Sequence, residues 1–346
     1  MTSVEKKSIV SNRPSIIFLL GPTACGKTDL ILNFCENFPA EVISVDSTKV
    51  YRHLDIGSAK PNSAMLNRIP HWLINIAEPT EIYSAARFVE DSLRAIETIV
   101  AEGKIPVLVG GSMMYFNSLL NGLSKLPAAD ASIRTELELK ITKSGIQSLY
   151  AQLQLIDPLS ARRLHPNQKQ RIIRALEVYK STGKPISSWW ENRKTNALKE
   201  KYSIYQFGMM PSERSLLHAK IERRFLSMIA CGFVEEVREL HRRGDLNCQL
   251  PAVRSVGYRQ LWSFVEGEIN FDEALNRGIV ATRQLAKRQL TWMRGWQELN
   301  LLPIDDGKKL FSTKKIADVW LKMLSRTPIS HFVGARQNSE SIQPLQ

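Results

Sequence analysis

Nothing in this sequence is spaced like a disulfide framework or a zinc ribbon. Its four cysteines, Cys25, Cys35, Cys231 and Cys248, form no C-x-x-C pair and join no histidine cluster of metal-binding spacing. A reducing, cytoplasmic setting is therefore expected. Long apolar runs are also missing. The run 16–20 is too short for the core of a secretion signal, and no stretch reaches membrane-spanning length, so no membrane partner is expected. There are no internal repeats. Acidic residues are in deficit, with 34 against 47 lysines and arginines, giving a net charge of +13 and a pI near 9.6. Such a surplus points to a polyanionic partner, nucleic acid first. The plainer alternative is a merely basic surface.

What is present begins with Gly21-Pro22-Thr23-Ala24-Cys25-Gly26-Lys27-Thr28. This loop follows an apolar strand and leads into a helical pattern from about residue 27 to 37, and it fits the G-x-x-x-x-G-K-[ST] form of a P-loop. Its glycines let backbone N–H groups turn toward phosphate oxygens, and the helix N-terminus adds partial positive charge. Lys27 supplies a mobile ammonium, and Thr28 Oγ can ligate Mg²⁺. Chance produces this pattern in roughly one chain in a hundred of this length. The loop implies a polyphosphate without saying which.

The residues that follow alternate between β-branched strands and helices, the pattern of an α/β fold. A second strand over 41–45 ends at Asp46-Ser47. Ligands in open α/β sheets lie beyond the carboxyl ends of strands, so Asp46 is on the edge that carries the P-loop. It reads equally well as a helix cap or an active-site carboxylate. The segment 51–61 reads as an ordered loop, and 70–76 as another strand approach in which His71 is structural. A helix over 84–102, capped by Ser84, precedes a strand over 105–109 and then Gly110-Gly111-Ser112. Ser112 reads as an ordinary cap or as a hydroxyl at the sheet edge, and Met113 and Phe116 as core.

From about residue 125 to 203 the pattern becomes helical and basic. Between Lys125 and Lys201 stand 15 lysines and arginines against 7 acidic residues, which is +8 of the total +13. Basic helices with aromatics such as Trp189 and Trp190 suit RNA, and the competing reading is a solvated basic face. Strand character returns over 204–209. Helices follow over 216–225 and 233–242, the first with Lys220, Arg223 and Arg224. A long helix over 271–296 places Arg277, Gln284, Arg288 and Thr291 on one face. The expected organisation is a flexible N-terminus (1–14), a P-loop NTPase-like parallel-sheet core with C-terminal helices (15–124 and 204–325), a helical insertion (125–203) and an unordered tail (326–346).

The motif set resembles the bacterial tRNA dimethylallyltransferases, the isopentenyl-tRNA transferases, from about residue 15 to 305. Beyond the P-loop it comprises Asp46-Ser47 with Val50-Tyr51, Asp55-Ile56-Gly57-Ser58-Ala59-Lys60-Pro61, and Gly110-Gly111-Ser112. It continues with Arg171-Ile172 and Arg174-Ala175-Leu176-Glu177-Val178, then Val256-Gly257-Tyr258-Arg259, and finally 281–289, Ala-Thr-Arg-Gln-Leu-Ala-Lys-Arg-Gln. No single motif carries the resemblance; the ordered set does.

The resemblance implies transfer of a dimethylallyl group from dimethylallyl diphosphate to N6 of adenosine 37 in the tRNA anticodon stem-loop. Residues 21–28 (Gly21, Pro22, Thr23, Ala24, Cys25, Gly26, Lys27, Thr28), with Lys220 and Arg224, would hold the diphosphate, and Thr28 would hold Mg²⁺. Asp46 would accept the amine proton, and Lys27 and Ser112 would complete the catalytic set. The implied tRNA contacts begin with Asp46, Ser47, Thr48, Lys49 and Ser112. The helical insertion would add Gln170, Arg171, Ile172, Ile173 and Arg174. The C-terminal part would add Arg254, Ser255, Val256, Gly257, Tyr258 and Arg259, then Arg283, Gln284, Lys287, Arg288 and Arg294. A monomer is expected. The sequence departs from the family pattern at Lys49 (usually Gln), Ser112 (usually Thr), Gln168 (usually Asp) and Lys220 (commonly Arg). Three other readings compete: a P-loop kinase of a nucleotide or small metabolite, a prenyltransferase of free adenine nucleotides, and a non-catalytic RNA-binding protein.

Overall fold

A strand that is apolar at every position can be buried on both faces, which suits the middle of a parallel sheet. The computed structural model, which describes residues 13–124, 126–128, 130–190 and 198–330, puts β1 (Ser15–Leu20) in that position. Residues 16–20 are fully buried. Each such side chain contributes about 1.5–3 kcal/mol relative to exposure. Residues 1–12 and 331–346, expected to be flexible, lie outside the described residues.

The chain divides into two units, Met1–Ser118 with Leu198–Gln346, and Leu119–Ala197. In the first, β1 leads through the glycine loop into α1 (Lys27–Asn37). There follow β2 (Ala40–Val45), α2 (Ser63–Arg68), β3 (His71–Trp72), α3 (Ala85–Ala101), β4 (Ile105–Gly110) and α4 (Met113–Asn121). The helix α3 starts where expected, because Ser84 Oγ accepts the Arg87 N–H. Its apolar stripe of Phe88, Ala95, Ile96 and Ile99 is buried.

The second unit contains α5 (Ala131–Ile156), α6 (Pro158–Arg163), α7 (Lys169–Thr182) and a 3-10 turn at Ile186–Trp189. It has its own core around Leu137, Leu149, Leu153, Ile172, Ile173 and Leu176. Asp157, 2% exposed, caps α6. Its carboxylate accepts from the Ser160 N–H and hydroxyl and from the Ser187 N–H, which ties the 3-10 turn to the helices.

The chain returns to the first unit at α8 (Leu198–Lys201) and β5 (Ser203–Met210). It ends with α9 (Arg214–Ala230), α10 (Phe233–Arg242), α11 (Tyr258–Val265), α12 (Phe271–Arg294), β6 (Asn300–Pro303) and α13 (Thr313–Leu324). The sheet order is β3-β2-β4-β1-β5-β6, with every pairing parallel. All carboxyl ends therefore face one edge. The end of β1 carries the glycine loop, the end of β2 carries Asp46, and the end of β4 carries Gly111-Ser112.

Three details differ from the sequence reading. The strand expected over 70–76 shrinks to two residues, because Leu73 and Asn75 adopt left-handed φ of 62° and 57° that extended backbone cannot accommodate. An unforeseen β6 pairs with β5, and proline is tolerated at its end because this is the sheet edge. Residues 326–330, assigned to an unordered tail, instead close the core, where Ile329 is fully buried.

Candidate active site

The glycine loop is shaped by two residues with positive φ, Ala24 at 63° and Gly26 at 97°. Gly26 opens α1 in the left-handed region, which glycine enters without penalty. Lys27 Nζ donates to the carbonyls of Gly21 (2.8 Å) and Pro22 (2.7 Å), so the ammonium is parked inside the loop. From α9, the Lys220 ammonium would lie 3.6 Å from a Cβ on Gly26, so a second cation stands directly over the loop.

Asp46 leaves β2 at the neighbouring strand end. Its Oδ1 accepts the N–H groups of Thr48 (2.9 Å) and Lys49 (3.3 Å), which fixes the carboxylate plane. The Ser112 N–H donates to the Val45 carbonyl (3.2 Å), and Ser112 Oγ accepts the Ser47 N–H (3.1 Å). The ends of β2 and β4 are thus locked together. Asp46 acts as a turn cap through Oδ1 while lining the cavity, so the cap and active-site readings coexist.

One cavity of about 810 Å³ is lined by these groups together. Lys27, Lys49, Lys60, Lys220, Arg224 and Arg288 bring positive charge to it, and Asp46 faces the same space. Met113, Ile221, Leu285 and Trp292 supply apolar wall. Burial lowers the Arg224 pKa and Asp46 opposes the shift; an arginine stays charged regardless. Burial likewise lowers Lys60, whose ammonium is saturated by the Tyr51 carbonyl, Asp55 and Asn75. Lys60 thus braces the wall loop.

Two residues absent from the expected site hold it in shape. Gln289, 8% exposed on α12, accepts the Thr23 N–H through Oε1 (2.9 Å) and donates from Nε2 to the Gly111 carbonyl (2.9 Å). A Cβ on Gly111 would meet Nε2 at 2.2 Å, so only glycine admits the amide there. Glu236 on α10 accepts three consecutive N–H groups, from Asp55 (3.0 Å), Ile56 (2.7 Å) and Gly57 (3.1 Å), together with the Tyr258 hydroxyl (2.6 Å). The signal for Gln289 was a lone amide among Ala286, Leu290 and Met293 on the buried face of a helix. Glu236 left no comparable signal.

The structure brings Gly26, Lys27, Thr28, Asp46, Ser47, Thr48, Lys49, Ser112, Lys220, Arg224, Val256 and Arg288 into this one cavity. Ser255 adjoins it through a hydroxyl contact with Thr48 (3.2 Å). Arg254, Arg259, Gln284, Lys287 and Arg294 are exposed, and Arg283 pairs with Glu222 (2.7 Å). In the helical unit, Gln170 and Arg171 are exposed. Four expected RNA contacts need correction. Ile172 and Ile173 are fully buried in the helical core and offer RNA no surface. Arg174 is turned inward, to the fully buried Glu177 (2.9 Å) and the Pro127 carbonyl (2.6 Å). Tyr258 is 1% exposed and spends its hydroxyl on Glu236.

The family model for IPP transferase matches residues 49–296. The fold is similar to a full-length tRNA isopentenylpyrophosphate transferase from Bacillus halodurans, at 31% identity and a TM-score of 0.65, covering 94% of this chain and 100% of that one. It is also similar to a tRNA delta(2)-isopentenylpyrophosphate transferase from Staphylococcus epidermidis, at 29% identity and a TM-score of 0.65, over 91% of this chain and 99% of the other. A eukaryotic dimethylallyltransferase acting on tRNA aligns at 25% identity and a TM-score of 0.70, over 91% of this chain and 80% of its own.

Proposed function

This chain belongs to the IPP transferase family, and from that premise we propose that it transfers a dimethylallyl group from dimethylallyl diphosphate to N6 of adenosine 37 in tRNA. Prenyl transfer to tRNA follows from the family. The finer chemistry rests on one observation: a cavity in which a P-loop, a set of cations and the amide-held carboxylate of Asp46 converge, with Asp29 on the same lining.

In this reading the loop amides, Lys220 and Arg224 receive the diphosphate. Lys27 leaves the Gly21 and Pro22 carbonyls to join them. The exocyclic amine attacks the allylic carbon, the carbon–oxygen bond breaks with its electron pair going to diphosphate, and Asp46 takes the amine proton. Because Oδ1 is held by two amides, Oδ2 is the oxygen for that proton. Catalysis is mainly positioning and stabilisation of the leaving group. The base must be extruded from its loop to reach the cavity.

Thr28 offers a hard hydroxyl oxygen beside the phosphate cradle, and the described residues contain no cluster of three or more metal-binding side chains. That donor set fits Mg²⁺ arriving with a diphosphate and keeping its waters. The ion would neutralise charge on the leaving group. The exposed Gln170, Arg171, Arg254, Arg259, Gln284, Lys287 and Arg294 are the candidates to hold the anticodon arm. No described helix is long and apolar enough to cross a membrane. The proposed cytoplasmic setting rests on the free, unclustered cysteines.

The test is incubation with Mg²⁺, unmodified tRNA and either labelled dimethylallyl diphosphate or labelled ATP. Label should move from dimethylallyl diphosphate to tRNA. Transfer from ATP alone would establish a kinase, and transfer to free AMP but not tRNA a free-nucleotide enzyme.

A further inference from the structure

Lys49 is a cavity residue whose task the reaction above leaves unassigned. Its backbone N–H is one of the two that hold Asp46, so its side chain starts beside the base. It is half-buried, and it faces Asp46 from its own turn, Lys27 from α1, Arg224 from α9, Lys60 from the wall loop and His71 from β3. The neighbouring lysines have evident occupations. Lys27 is parked on two carbonyls, and Lys60 is saturated by three acceptors. Six cations share the cavity with two carboxylates, Asp46 and Asp29; they repel one another, and a multivalent anion relieves that repulsion.

Taking the diphosphate cradle of the preceding section as given, we infer that Lys49 is a further ligand of the leaving diphosphate, supplying a cation from the Asp46 side of the cavity. Lys220, which covers the loop from α9, lines the same cavity. Its titration makes the assignment measurable. Burial pulls Lys49 down to about 8, with Asp46 opposing and Arg224, Lys27 and Lys60 reinforcing the shift. A bound anion favours the ammonium and raises the value again. The Lys49 contribution is therefore complete below pH 8 and declines as pH rises toward the raised value of the complex, with proton uptake on binding in between.

The probe is inorganic diphosphate, titrated calorimetrically into the full chain at pH 7 and pH 9 in buffers of different ionisation enthalpy. Lys49→Gln is expected to bind about tenfold more weakly than the parent at pH 7, a gap that closes by pH 9. Diphosphate itself releases protons on entering a cationic site, so the readout is the difference: near pH 8.5 the parent should take up more protons, or release fewer, than Lys49→Gln. Lys49→Arg, charged throughout, should retain affinity at pH 9. The assignment fails if parent and Lys49→Gln show the same affinity ratio and proton uptake at both pH values. It also fails if Lys49→Gln raises the KM for tRNA while leaving diphosphate affinity untouched, which would assign the lysine to an RNA phosphate. Failure of the parent itself to bind diphosphate would remove the cradle, and with it both readings.

Discussion

Asp46 and Gln289 line the same cavity, and each is held by backbone groups rather than by another side chain. Replacing Asp46 with Asn preserves the turn, since its amide oxygen still accepts the Thr48 and Lys49 N–H groups, but removes the proposed base. Single-turnover rates with saturating tRNA should fall by about 10²- to 10⁴-fold while inorganic diphosphate affinity is retained. A rate within a few fold of the parent would exclude Asp46 as base. Gln289 makes a different demand, because its two ends have opposite polarity. Glu at 289 still accepts from Thr23 but sets an oxygen against the Gly111 carbonyl. A loss of about 1–3 kcal/mol in stability is expected, with a raised KM for dimethylallyl diphosphate. An unchanged melting temperature and KM would show that the amide is dispensable. Asp46 was marked by its place after a strand, where it read equally as a cap or an active-site carboxylate, and only the family resemblance made it the expected base. Gln289 could be suspected as an amide on a buried helix face, but its partners lie 266 and 178 residues away and no local pattern names them.

At the level of elements, the buried central strands and the long amphipathic helices were readable because each repeats one simple rule, continuous burial or a 3.6-residue stripe. The elements missed or overdrawn are those set by tertiary context. β3 stops where two residues turn left-handed, β6 is a short edge strand, and α13 has its place because Trp320 needs aromatic neighbours. Trp320 is 1% exposed and packs 4.8 Å from Phe34 of α1 and 5.9 Å from Phe207 of β5, ring centroid to centroid. It thus braces the helix that presents the glycine loop. Trp320→Ala should cost about 3–5 kcal/mol, read by thermal or denaturant unfolding. A loss below 1 kcal/mol would mean that the C-terminal helix is only peripheral to the core.

For the whole molecule, the charge of +13 sets how binding responds to salt. If exposed arginines and lysines such as Arg171, Arg254, Lys287 and Arg294 grip RNA phosphates, tRNA affinity should fall roughly ten- to a hundredfold between 50 and 200 mM KCl, with log affinity linear in log salt. Filter binding with unmodified tRNA reads this directly, and a flat profile would leave the basic surface without that role. The sequence made this scale partly legible, through the charge count and the helical stretch between strands. It could not separate Arg171, which is exposed, from Arg174, which is consumed by the buried Glu177.

The strand that carries the glycine loop has a consequence for synthesis. β1 is flanked by β4 on one side and by β5, which begins at residue 203, on the other. The amide that pins the loop at Thr23 arrives later still, at residue 289. The ribosome therefore releases the phosphate-loop sequence, 21–28, long before the partners that shape it exist. A nascent chain arrested before β5 carries the motif with one flank of its strand open and the pinning amide unmade. Both the second strand flank and the pinning amide exist only once α12 has been made, so the loop takes its final shape late in translation.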